Sequence, residues 1–445
     1  MAGAAGAADR HEVRSMSGEG GSLGRLARVP DWPPESARMS TRMGLSTRPN
    51  SERDALSAGS RRRPHAQPPA QSTSQVATAR RMARNFAALS VAEVACRAIS
   101  VMVTLYLAAV LGPSGYGRIE FAFQLVVWLV LLVRDGLEMI VTREIARHPR
   151  LVRVLVNQVL AFRLLLASGL FALLSVLCVV GVSEPTERSV LWLYGLLLMT
   201  TALGMDYVFR ARERMALVAV SLVARTLVYA LAVAVCVVSP SGLTVVPICL
   251  VAGEACGIAL VWTYYVRAYG WPRPRLSRRF ARVCLTRGRS IYTTQLCQTV
   301  LSSIDLLVVG VLSQWADVGR YGAPHRILMA LLTFGLIFQQ AVFPSLARSW
   351  RDSLETSRRT LNSLIRVLVL GLLPIAAGTS ALAPSLVALL LPASYAEAGL
   401  LLALGIWRAP LLTLAYLLQT TLVALNREAT GARSLLVAAL ASIPL

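Results

Sequence analysis

The sequence predicts an all-α polytopic membrane protein, built as two pseudo-symmetric six-helix lobes around a central cleft, with the second lobe incomplete. Three observations carry that prediction. Apolar runs of twenty or more residues dominate the chain after about residue 85, long enough for a helix to cross roughly 30 Å of hydrocarbon. The loops between the runs alternate between arginine-rich and arginine-poor. A polar stripe followed by a Tyr-Gly joint occurs twice, about 205 residues apart.

Composition agrees with the first observation. Hydrophobic residues make up 55% of the 445 and charged residues only 15%, against about 25% charged in soluble domains. The net charge is +22, carried entirely by arginine, since the chain contains no lysine. Residues 1–84 are of different material: stretches such as "GSRRRPHAQPPAQSTSQVATARR" are rich in Arg, Ser, Pro and Ala, with few large apolar side chains. Such a segment cannot bury enough surface to offset its ordering entropy and reads as a disordered basic cytoplasmic tail. It lacks the apolar core of a signal peptide.

The spans then follow in order: Phe86–Leu111, Ile119–Val141, Leu155–Val180, Val190–Val208, Leu217–Val238 and Leu243–Tyr265 form the first lobe, residues 85–268. A basic linker covers 269–289. The second lobe, 290–445, has Ile291–Leu312, Ile327–Leu346, Leu361–Leu391 and Ala396–Leu425, then a stub, Ser434–Leu445, too short to cross. The connections "REIARHPRLVR", "FRARERM", "RAYGWPRPRLSRRFARVCLTRGR", "RSWRDSLETSRR" and "NREATGAR" are arginine-rich. "GPSGYGR", "VSEPTER", "SPSG", "SQWADVGR" and "LPASYAEAG" have one arginine or none. Strict alternation places the rich set and the N-terminus in the cytoplasm.

Shifting the chain by the distance from Tyr116 to Tyr321 lays the first span on the seventh. Ser90, Glu93, Arg97 and Ser100 then fall on Gln295, Gln298, Ser302 and Asp305. Each set, spaced by three and four, lies on one helix face. Charge near the bilayer centre costs about 2.5–3.5 kcal/mol, so such faces turn toward protein or a wet cavity. Six spans separate the joints, an even number, which implies a parallel repeat about an axis along the membrane normal.

The first span running into "LGPSGYG", the stretch "GMDYVFRARERMALVAV", and "SSIDLLVVGVLSQWADVGRYGAPHRI" leading to "FPSLARSW" resemble bacterial polysaccharide flippases. These carry O-antigen or exopolysaccharide units and belong to the multidrug/oligosaccharidyl-lipid/polysaccharide exporter superfamily. The resemblance implies alternating access and a lipid-linked oligosaccharide as cargo. It also implies a place in the cytoplasmic membrane among lipids, with a polysaccharide polymerase and glycosyltransferases as partners.

A polyprenyl diphosphate needs fixed cations along its path, and arginine holds phosphate oxygens by paired hydrogen bonds. The candidates for substrate binding are Arg97, Arg163, Arg225 and Arg408, with Arg134 and Arg366 closer to the cytoplasmic interface. Arg97 either meets cargo or pairs with Glu93 on its own helix, and Arg408 is placed to pair with Asp305. Coupling to an ion gradient needs acids, for which Glu93, Glu254, Asp305 and Asp135 are the candidates. Glu254 has no basic neighbour one turn away and so suits a proton or cation. Pro374, Pro410 and Pro344 are candidate hinges.

The seven cysteines contain no CxxC pair, and His11, His65, His148 and His325 are scattered, so no metal site or cofactor is expected. No glycine-rich phosphate loop is present. Topology accounts for the positive charge without nucleic acid. A cation-coupled drug or metabolite antiporter of the same superfamily is the nearest rival; a membrane glycan polymerase or ligase would want a large outside loop.

Overall fold

The computed structural model describes residues 71–330 and 354–424, with 332, 335, 431, 434 and 435. Among them there is no strand. The helices are α1 (Gln71–Arg147), α2 (Val152–Gly181), α3 (Pro185–Leu203), α4 (Asp206–Ala211), α5 (Met215–Cys236), α6 (Val245–Tyr269), α7 (Arg278–Leu312), α8 (315–330), α9 (Leu354–Leu390), α10 (Ala398–Gly405) and α11 (Arg408–Ala424). The protein is a multi-pass membrane protein, with eight apolar stretches among the described residues long enough to span. Most of the predicted span Ile327–Leu346, Pro344 included, and most of the stub lie outside the described residues.

The first of those stretches, Ala87–Arg147, has 61 residues. A straight helix of that length would measure about 90 Å, three times the hydrocarbon. It breaks at Gly112, whose φ of 67° and ψ of 175° lie outside the helical region, with Pro113 next. Only glycine takes that conformation readily. Tyr116 lies within hydrogen-bonding reach of Thr104, twelve residues earlier, where a straight helix would put them about 18 Å apart. The chain therefore reverses at the first joint, and α1 supplies two spans.

The predicted fourth span, Val190–Val208, divides differently. Helix α3 stops at Leu203, Gly204 is extended, and the short α4 follows. A break inside a membrane leaves carbonyls without donors. Here two side chains supply them: Trp262 Nε1 donates to the Leu203 carbonyl at 2.9 Å, and Arg163 Nη1 to that of Gly204 at 3.1 Å. The last predicted span is likewise α10 and α11 rather than one helix. Pro410 therefore falls in the first turn of α11, where its missing N–H has no helical partner to lose. Pro374 and Pro384 both lie inside α9.

Two buried apolar clusters fix how the halves meet. On the arginine-poor side, Leu107, Leu111 and Tyr116 of α1 share a cluster with Val387, Leu391 and Tyr395 of the second half. On the arginine-rich side, Phe280 and Cys284, from the first turns of α7, sit among Leu137, Ile145, Val156 and Tyr265 of the first half. The linker before α7 is held by Asn157, whose Oδ1 accepts from the Arg273 N–H at 2.8 Å and whose carbonyl accepts from that of Arg275 at 3.2 Å.

Candidate functional site

The two Tyr-Gly joints touch. A Cβ added to Gly117 would collide with the Trp315 carbonyl oxygen, and one added to Gly319 with that of Pro113. Glycine at both positions lets α8 approach the second limb of α1 backbone to backbone. One turn past Gly117 and two turns past Gly319, Glu120 and Arg326 form a forked pair between the halves. Arg326 Nε donates to Oε1 at 2.8 Å and Nη2 to Oε2 at 3.0 Å. Tyr116 donates to the same carboxylate at 3.1 Å, and the guanidinium lies over the Phe123 ring, 4.4 Å from its centroid. The sequence reading missed this pair. Its signal was the register itself, because the repeat that superimposes Tyr116 on Tyr321 superimposes Glu120 on His325.

A second polar centre lies within the first half. Arg225 of α5 donates to Glu254 of α6 at 3.1 Å, to Asp206 of α4 at 2.9 Å and to Ser221 Oγ at 3.0 Å. Gly253 admits the close crossing, since a Cβ there would meet the Arg225 carbonyl oxygen at 2.6 Å. Glu254 has no basic neighbour one turn away on α6, but Arg225 is brought to it from another helix. Two carboxylates share one guanidinium, and the triad carries a net charge of −1.

The third centre lies within the second half. Arg408 of α11 donates to Asp305 of α7, the pairing expected from the sequence, and also to the Leu301 carbonyl. Tyr321 donates to the same Asp305 oxygen. His325 Nδ1 stands 4.0 Å from it, and the imidazole stacks on Tyr321. Sequence spacing gave no reason to join His325 to an acid twenty residues away.

Arg163 does not face a cavity. It is 2% exposed; beyond the Gly204 carbonyl it donates to that of Arg134 at 2.9 Å and lies 3.7 Å from Glu138 and over Tyr207. Its guanidinium serves the Gly204 carbonyl at the helix break and the Arg134 carbonyl of α1, so in this structure it is engaged by protein rather than open to the cargo expected of it. Arg97 is the opposite case. It is exposed, with Arg326 and Glu93 as its charged neighbours. Among the described residues it makes no hydrogen bond or ion pair, so the intrahelical bridge to Glu93 is not formed. Of the remaining stripe residues, Ser90, Glu93, Gln295 and Gln298 are half-buried. Ser100 and Ser302 donate to carbonyls of their own helices at 2.8 and 3.1 Å. The Asp135 side chain lies outside the described residues. Arg134 and Arg366 are exposed. Among the described residues no group of three or more His, Cys, Asp or Glu could hold a metal. A cavity between α1 and α5, lined by Ile99, Met102, Tyr106 and Val233, lies apart from these polar centres.

A family model described as polysaccharide biosynthesis protein matches residues 82–350. That is more than half of the chain, and it holds both joints, the Glu120–Arg326 pair and the Arg225 triad. The chain belongs to the polysaccharide biosynthesis protein family. No curated protein sequence matches it. Among solved structures, it is similar in fold to an inward-facing multidrug resistance MATE family transporter of the MOP superfamily. The identity is 12%, the match covers 79% of this chain and 87% of that one, and the TM-score is 0.58. A MOP superfamily transporter from Pyrococcus furiosus, titled for the reverse polarity of its binding pocket, is 11% identical over 79% and 84%, with TM-score 0.50. At these identities the likeness establishes the fold: an all-helical member of this family with the architecture of MOP superfamily transporters.

Proposed function

We propose that the protein moves a lipid-linked oligosaccharide carrying a diphosphate across the cytoplasmic membrane by alternating access, in the service of surface polysaccharide synthesis. The observation that carries the reading is Arg97. It lies ten residues into the stretch that begins at Ala87, about 15 Å along the helix and so near mid-membrane. An exposed cation there, without an ion-pair partner among the described residues, has a reason to exist if an anion visits it. A diphosphate ester fits that demand, and Arg326 stands nearby.

With the N-terminus cytoplasmic, the joint contact lies on the outer side. The halves then close at Gly117–Gly319 and Glu120–Arg326, and this conformation would accept cargo from the cytoplasmic leaflet. Rocking that parts the joints would release it outward, toward a polymerase supplied by glycosyltransferases. Arg408 would join the path when its hold on Asp305 loosens. The two acids on Arg225 favour a second reading, a cation-coupled antiporter, because a net negative triad suits a cation.

Export of surface polysaccharide by cells carrying Arg97→Ala, Arg97→Lys or the native chain separates these readings. The proposal expects Arg97→Ala to abolish export with normal membrane levels, and Arg97→Lys to restore part of it. Undiminished export in Arg97→Ala overturns the assignment. Arg225→Ala would strand Asp206 and Glu254, so it tests folding rather than cargo.

A further inference from the structure

The linker between α6 and α7 differs from the other arginine-rich connections in what its guanidinium groups meet. Elsewhere on that side arginines find acids: Arg134 and Arg210 reach Glu138, and Arg359 reaches Glu355. From Arg267 to Arg289 the sequence has eight arginines and neither Asp nor Glu. Four of them, Arg273, Arg275, Arg278 and Arg282, are exposed, and among the described residues their side chains make no hydrogen bond or ion pair. Like charges gathered in so short a stretch repel one another, so the arrangement calls for anions from outside the chain.

Packing sets the depth of this stretch. The spanning stretch before it ends at Tyr269. Phe280 and Cys284 of α7 share a buried cluster with Tyr265 of α6, so the first turns of α7 lie level with the end of that span, where hydrocarbon gives way to headgroups. Arg278 and Arg282 are one turn apart on the face of α7 opposite Phe280 and Cys284, and burial of the apolar pair turns the arginines outward. Trp271 is 73% exposed, its ring centroid 6.2 Å from that of Trp262, which the Leu203 carbonyl fixes in place. A tryptophan suits the membrane–water boundary better than open water. Asn157 already holds the backbone N–H groups of Arg273 and Arg275, so the linker takes its shape before any partner arrives and little ordering cost remains.

We infer that the linker and the first turns of α7 form a docking surface for anionic phospholipid, with headgroup phosphates on Arg273, Arg275, Arg278 and Arg282 and the Trp271 indole inserted beside them. Arginine holds phosphate oxygens by paired hydrogen bonds, and basic residues clustered next to a span are drawn to anionic leaflets. The exposed indole favours lipid over a soluble acidic partner. An acidic protein would satisfy the charges, but a lipid surface also covers the ring, taking its N–H among the headgroups and its apolar body among the chains. The surface is distinct from Arg97 and from the three polar centres, and it makes no demand on the cargo. Its service to the fold is local: bound lipid keeps the linker on the membrane while Phe280 and Cys284 stay sunk in the first half.

The test uses tryptophan emission of the full chain in phosphatidylcholine nanodiscs. Each disc carries the same minor fraction of brominated lipid, either phosphatidylglycerol or phosphatidylcholine. The chain has eight tryptophans, so every form is measured against its own W271F partner, and the difference is the emission of Trp271. Brominated phosphatidylglycerol should quench that emission roughly threefold or more as strongly as brominated phosphatidylcholine, and the preference should fade in high salt. R273Q/R275Q/R278Q/R282Q should abolish the preference, and the fourfold lysine variant should keep it, because attraction to a leaflet acts on charge. All four side chains are exposed, so neither variant should change the melting temperature appreciably. Equal quenching by the two lipids overturns the proposal, as does a preference that survives the glutamine variant or is lost in the lysine one. A Trp271 that neither brominated lipid quenches faces water, which leaves the surface to a soluble acidic partner and also overturns the proposal.

Discussion

The halves of this protein meet in two places built on different principles. On the arginine-poor side the contact joins separate pieces of chain, glycine backbone on glycine backbone with a forked ion pair beside it. On the arginine-rich side it is a tether, the linker strung on Asn157 and the first turns of α7 sunk into the first half. A contact of the first kind can part and re-form, because nothing covalent holds it and its groups can meet water. A contact of the second kind is continuous with the chain and is held by buried apolar side chains and the hydrogen bonds of Asn157. Under the proposed alternating access, the difference suits the joints to be the gate and the linker to be the hinge that persists while the gate opens.

The sharpest way to break this distinction is through Glu120 and Arg326. Removing one member of a buried ion pair costs about 3–5 kcal/mol, because the other is left uncompensated. Glu120→Ala and Arg326→Ala should each lower the unfolding temperature markedly in detergent. The double variant should lose less than the sum by at least about 1 kcal/mol, the mark of contacting residues. Strict additivity would mean the pair does not couple the halves.

Gly117→Ala comes next. Its new methyl collides with the Trp315 carbonyl only while the joints are closed, so an overpacking strain of about 1–3 kcal/mol falls on one state and shifts the population toward the parted one. Ala323, fully buried in the joint cluster, provides the reporter as Ala323→Cys. Maleimide should label it at least tenfold faster in the Gly117→Ala background. Gly169→Ala, where an added Cβ meets nothing within 4 Å, should leave the rate unchanged. Equal rates in the two backgrounds would remove the gate.

At the hinge the effects are smaller. Asn157→Ala deletes one hydrogen bond to the linker, worth about 1 kcal/mol, and leaves the backbone bond to Arg275. Trypsin should cut the arginine-rich linker several-fold faster, with little change in thermal stability. Unchanged cleavage would mean that Asn157 does not hold the linker.

What the sequence made legible follows the same division between local and distant causes. Spans and loop alternation were readable because lipid thickness and charge act on consecutive residues. The repeat was readable because register is a property of the string. Partners were not. Glu254 looked solitary because its arginine sits 29 residues away on another helix. Arg163 looked like a cargo residue because the break at Gly204, which demands its donors, falls inside an uninterrupted apolar run. Glu120 and Arg326 were passed over because both stand at the edges of predicted spans, 206 residues apart. Arg408 and Asp305 were joined in advance only because each was too deep to go without a partner.

The smallest effect tests the persistence of the hinge. Cys284 lies before the membrane stretch that begins at Ile291, is 2% exposed, and sits in the first-half cluster. Burial pushes its thiol up to about 12 from an ordinary 9.0, because a thiolate would be desolvated there. Maleimide reacts with thiolate, so Cys284 should stay unlabelled from about pH 6 to 9, the range over which an ordinary thiol becomes reactive. The sign also fixes a stability trend. Below 9.0 both folded and unfolded chains keep the proton; between 9.0 and about 12 only the unfolded chain releases it, so stability falls as pH rises through that window. A hinge that stays docked predicts the same silence in the Gly117→Ala background as in the native chain. Labelling that appears when the gate is forced open would show that α7 leaves the first half during the cycle, and the division between gate and hinge would collapse.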